Sequence, residues 1–155
     1  MPAHTSFDYA VVRVVPRVER EEFINAGVIL FCRTRRFLDA RVALDAGRLA
    51  ALAPSLDPTE LEQHLALIPL VCRGDAAGGP IAALALAQRF YWLTAPRSTV
   101  VQPSAVHSGV CDEPAAALDH IFGTMVLLPS GEEGGASAKL WSSPPADTTH
   151  ARNAV

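Results

Sequence analysis

Lysine is almost missing from this chain of 155 residues: Lys139 is the only one among 13 basic residues. The formal net charge is only −3, and acids and bases are interspersed, so the chain lacks the basic excess of a sequence-independent nucleic-acid binder. Arginine in place of lysine, alongside abundant Ala, Gly and Pro, reads as a genome-wide compositional bias rather than selection for phosphate contacts. Cysteine is scarce as well. Cys32, Cys72 and Cys111 lie far apart with no histidine at ligand spacing, which excludes a zinc knuckle and a disulfide framework. Each follows an apolar residue (Phe31, Val71, Val110), the setting of a reduced thiol acting as a small hydrophobe. No run approaches the roughly 20 apolar residues of a spanning helix, and the start carries neither a basic head nor an apolar stretch. A soluble, cytoplasmic protein is expected.

Catalytic signatures are equally sparse. Gly78-Gly79 and Gly134-Gly135 lack the lysine of a phosphate-binding loop, and no nucleophile elbow surrounds Ser104 or Ser108. His4, His64, His120 and His150 form no metal pair at helical spacing. No cofactor and no metal are expected.

Half of the residues are hydrophobic, enough for one core of its own at this length. Phe7–Val15, Phe23–Cys32 and Phe37–Val42 read as consecutive strands. The first two are apolar on both faces and so should be central strands covered on each side, whereas Asp39 and Arg41 give the third a wet face. The Arg33–Arg36 segment between the last two is a hairpin loop. Asp45 caps a short helix to about Leu52. Asp57-Pro58-Thr59-Glu60 opens a longer one, with an apolar stripe through Leu61, Leu65 and Ile68 that Pro69 should kink or end. Pro80 opens a helix to about Trp92, apolar nearly all round and so expected to be well buried. Ser98–Gln102 should return to the sheet, and a last helix begins near Asp112-Glu113-Pro114. The expected fold is α+β: an antiparallel meander of three or four strands packed with about four helices over residues 1–129. A flexible, low-complexity tail follows over 130–155, where Leu140 and Trp141 are the only large apolar residues and cannot offset the ordering entropy.

Four residues break the pattern of the sheet. Arg13 shares a strand face with Phe7, Tyr9 and Val11, and a buried guanidinium needs a carboxylate close by. Glu22, at the entrance to the adjacent antiparallel strand, is the natural candidate, with Asp8 and Asp39 as fallbacks. Asn25 suits a bulge, and Gly27 suits a bend or a close approach by another segment. The group is either an ion pair that fixes register or a ligand-binding notch. A second polar cluster, Arg97, Ser98, Thr99, Gln102, Ser104, His107 and Ser108, has the side chains of an anion or phosphate site, and equally those of an ordinary loop.

The stretch Tyr9–Pro16 followed by Glu22–Leu30 resembles a bacterial family of uncharacterised proteins, domain-of-unknown-function family 3037. The resemblance continues through Arg97–Ser104, His107-Ser108-Gly109 and Leu118–Phe122. It implies no activity that could be carried over to particular residues, and it implies a HipA-like kinase as a partner.

The leading expectation is therefore a non-enzymatic accessory or protein-interaction module that uses a sheet edge and the tail. The alternative is a small-ligand or phosphate-binding protein, or an enzyme, whose site joins Arg13, Glu22 and Asn25 to Arg97 and His107 in one cleft. A third reading, nucleic-acid contact through Arg33, Arg35, Arg36 and Arg41, lacks the interleaved aromatics that stacking needs.

Overall fold

The computed structural model describes residues 3–129; the expected tail, with Leu140 and Trp141, lies outside them. Five strands form one antiparallel sheet: β1 (Thr5–Val14), β2 (Ile24–Cys32), β3 (Phe37–Val42), β4 (Val101–Pro103) and β5 (His107–Cys111). The order is β3-β2-β1-β4, with β5 also on β1. Strands β4 and β5 thus act as one edge strand broken at Ser104, β4 beside the C-terminal part of β1 and β5 beside its beginning.

Strand alternation puts helices on both faces. Ala10, Val12 and Val14 face α1 (Ala46–Leu52), α2 (Pro58–Arg73) and α3 (Leu86–Thr94), where Leu49, Leu65, Cys72 and Phe90 complete the larger core. Phe7 and Tyr9 face the other way, toward Leu118 and Val126 at α4 (Pro114–Met125), together with Val28 and Leu30 of β2. The two central strands are therefore covered on both sides, as their apolar runs require. On β3, Leu38 and Ala40 join the larger core while Asp39 and Arg41 make ion pairs, Arg41 with both Asp39 and Asp119.

The helix starts follow their sequence signals. Asp45 accepts from the Arg48 N–H at 3.0 Å, and Asp57 accepts from the Thr59 N–H at 2.9 Å with Pro58 in the first turn. Three expectations need correction. Of the two alternatives for Pro69, a kink or an end, the end is overturned: α2 runs four residues further, Val71 and Cys72 are buried against the sheet, and Gly74 closes the helix at φ 71° with its N–H on Leu70 and Val71. That burial outweighs the missing hydrogen bond at the proline. The helix expected from Pro80 splits into a 3₁₀ turn, Pro80–Ala83, and α3, with extended backbone at Leu84 and Ala85 between them. It is also less buried than its composition suggests, since Tyr91 and Trp92 are exposed. Lastly, β5 was not among the expected strands.

The register of β1 against β2 shifts between Val12 and Arg13, so that Val12 faces Gly27 and Arg13 faces Asn25, leaving Ala26 as the extra residue of a bulge.

Candidate functional site

The bulge sets Asn25, Arg13 and Gln102 in one row across β2, β1 and β4, on the face that carries α4. Each leaves one buried polar atom without a hydrogen-bond partner among the described residues: Asn25 Oδ1, Arg13 Nε and Gln102 Nε2. The Asn25 amide donates to the Met125 carbonyl at 3.0 Å, satisfying one of the orphan acceptors at the end of α4. The asparagine thus stands beside the bulge, as its sequence suits, and its amide serves backbone at a helix end.

Arg13 is not paired with Glu22. Its guanidinium lies over the Phe23 ring, 4.2 Å from the centroid, and it makes no ion pair among the described residues. Glu22 accepts instead from Arg20 Nε at 2.8 Å, on the surface. The reason is local: a 3₁₀ turn at Val18–Arg20 is closed by Glu21 in the left-handed region (φ 53°), and Glu22 precedes β2, so it lies outside the ladder that holds Arg13. The cation–π contact contributes about 0.5–1 kcal/mol at a half-exposed site, less than the roughly 1–3 kcal/mol cost of a buried donor left unmade. Arg13→Met is accordingly expected to raise the unfolding free energy by about 1 kcal/mol in urea denaturation. A clear loss of stability would mean that the guanidinium has a partner.

Ser104 is a structural residue of the broken edge. Its N–H donates to the Val11 carbonyl at 2.7 Å, while its buried hydroxyl accepts from the Val11 N–H at 2.8 Å and donates to the Ala105 carbonyl at 2.9 Å. One side chain thereby supplies the ladder bond lost where the strand breaks. His107 stands on β5 opposite Tyr9, with ring centroids 5.4 Å apart, and Ser108 donates to Asp8 at 2.7 Å. Neither serine therefore has a histidine as its hydrogen-bond partner. Gly27 answers a close approach: a Cβ there would lie 2.9 Å from the Arg41 carbonyl oxygen and 2.9 Å from Val42 Cγ1.

Arg97 sits on the opposite face of the sheet from Arg13. It lines an open cleft of about 680 Å³ between α2, α3 and β4, whose walls include Val12, Ile68, Val71 and Leu93. Its guanidinium stacks on Trp92, 4.6 Å from the ring centroid, and donates to the Trp92 and Ala95 carbonyls. Glu22 borders a smaller cavity of about 370 Å³ beside Arg17, Arg20 and the Leu52–Leu56 linker. The five residues of the ligand reading are thus distributed over four places, with Arg13 and Asn25 together and Glu22, Arg97 and His107 each apart. Sequence reasoning missed the cleft because its walls read as core. The available signal was Leu67 and Trp92, large apolar residues on α2 and α3 that the helical stripes do not bury.

The match to known families agrees with the motif in β1 and β2. Residues 9–126 match the family model described as "Protein of unknown function (DUF3037)". The chain belongs to the DUF3037 family. No curated protein and no solved structure matches it. The matched DUF3037 segment includes the Arg13–Asn25–Gln102 row, the cleft and β5.

The thiols of this DUF3037 chain differ in environment. Burial, with Asp39 nearby, pushes Cys72 up to about 12. Burial, then Cys32, also raises Cys111. At Cys32, burial pushes upward but is outweighed by hydrogen bonds with Thr5 and Thr34 and by Arg35, so the thiol is lowered, although its side chain is sealed from solvent. Among the described residues no three His, Cys, Asp or Glu side chains are grouped to hold a metal ion, and no helix is long and apolar enough to cross a membrane.

Proposed function

We propose that the chain is a bacterial, cytoplasmic protein-interaction module without catalysis of its own, which takes its partner by strand addition along β5. The observation that carries this reading is the condition of that strand. β5 pairs with β1 on one side, and its other edge is unpaired among the described residues. The five residues His107–Cys111 include no Lys, Glu or Pro of the kind that blunts an edge strand. The helices leave one face here uncovered. Val110 lies opposite Ser6 and is 69% exposed, and Val106, just before the strand, is 45% exposed. An extended segment laid on this edge gains main-chain hydrogen bonds, and an apolar side chain of that segment covers Val110. A HipA-like kinase, which the sequence resemblance implies, is the partner proposed for the first test.

The test is a calorimetric titration of the chain with that kinase from the same genome. Val110→Asp places a charge on the edge without touching the core and is expected to weaken binding by about tenfold or more, while Val110→Thr stays within about threefold. Equal binding by wild type and Val110→Asp would remove the reading.

A further inference from the structure

We infer that the cleft between α2, α3 and β4 is a binding site for a small amphipathic acid, an apolar body carrying one carboxylate. The site stands apart from the β5 edge and does not depend on it. Its volume, about 680 Å³, is that of a site for a drug-sized molecule rather than a gap in the core. Its walls are apolar on three sides: Leu67, Ile68 and Val71 from α2, Leu93 from α3, and Val101 from β4. Two of the large apolar residues at the cleft are open to water, Leu67 at 45% and Trp92 at 42%, which an apolar ligand body would cover.

Charge determines the head group. Among the described residues the only ionisable side chains lining the cleft are Arg97 and His64, and no Asp or Glu lines it. Arg97 makes no ion pair among the described residues. Its Nε and Nη2 are held by the Ala95 and Trp92 carbonyls and its plane by the Trp92 ring, so Nη1 keeps its N–H groups for a ligand. A guanidinium already fixed in place loses little side-chain freedom on binding an anion. Ser98 stands beside it in the lining, while the Thr99 hydroxyl is committed to the Val101 carbonyl at 2.8 Å. One guanidinium in the lining of an otherwise apolar cleft matches one carboxylate on an apolar chain.

The test titrates the full chain with decanoate and with decanol by calorimetry. Decanoate is expected to bind in the micromolar range and more tightly than decanol. Arg97→Gln is expected to lose about tenfold in decanoate affinity and to bind decanol as the wild type does, which also shows that the variant is folded. Leu67→Asp, at an exposed position, is expected to weaken both ligands. The inference is overturned if decanoate does not bind, if Arg97→Gln leaves its affinity unchanged or loses both ligands alike, or if Leu67→Asp affects neither.

Discussion

Replacing Phe90 by alanine is expected to lower the unfolding free energy by about 3–5 kcal/mol, the largest effect of any substitution considered for this chain. Phe90 is 1% exposed and stacks on Phe31 with ring centroids 5.0 Å apart, so α3 is fastened to the C-terminal end of β2 through one aromatic pair. Truncation removes the transfer energy of the ring and leaves a cavity among Phe31, Leu93 and their neighbours in the larger core. The neighbours cannot collapse into it freely, because Phe31 and Ile29 are held by the ladder to β1 and β3. Thermal unfolding should show a fall in Tm of about 10 °C, given about 2–4 °C per kcal/mol at this size. Tyr91→Ala, one residue on and exposed, should cost far less. It loses the hydrogen bond its hydroxyl accepts from Arg33 at 2.8 Å, a surface contact that contributes little. Equal losses in the two variants would contradict the assignment of Phe90 to the core.

Gly27→Val should cost about 3 kcal/mol, by overpacking rather than by a cavity. The φ of Gly27 is ordinary, so its role is space and not conformational freedom. The added Cβ meets the Arg41 carbonyl oxygen at 2.9 Å, a backbone atom of β3 that cannot retreat without opening the ladder, and Val12 Cβ at 3.3 Å on the other neighbouring strand. The substitution therefore pries β2 from both partners beside the bulge, and a raised unfolding rate in urea is the measurement that reports it. If Gly27→Val were as stable as the wild type, the register of β2 between β1 and β3 would be incorrect.

The elements that sequence alone made legible are those whose signals are local and redundant. The Asp57-Pro58 helix start, the two-faced apolar runs of β1 and β2, and Gly27 as a place of close approach each depend on a few adjacent residues. What escaped depends on residues far apart in the chain. β5 is small and polar (His-Ser-Gly-Val-Cys), and it becomes a strand because Thr5–Tyr9 offers it a free edge. Its Gly109 lies under the Phe7 ring, where a Cβ would be 2.5 Å from Cζ, so the aromatic on β1 supplies the surface that the glycine lacks. Glu22 was a sound partner for Arg13 by proximity of strand ends. The left-handed Glu21 instead gives it to Arg20, a backbone detail that no composition rule carries. Pro69 failed as a stop because the burial of Val71 and Cys72 is a tertiary gain, invisible within the helix itself. The cleft at Arg97 needed α2, α3 and β4 together before it existed at all.

Amide hydrogen exchange of the chain, alone and with an excess of the HipA-like kinase proposed as its partner, tests the β5 reading most directly. Slower exchange in the complex is predicted for peptides covering His107–Cys111, with α2 and α3 unchanged. Unchanged exchange at β5 together with protection on α2 and α3 would contradict it.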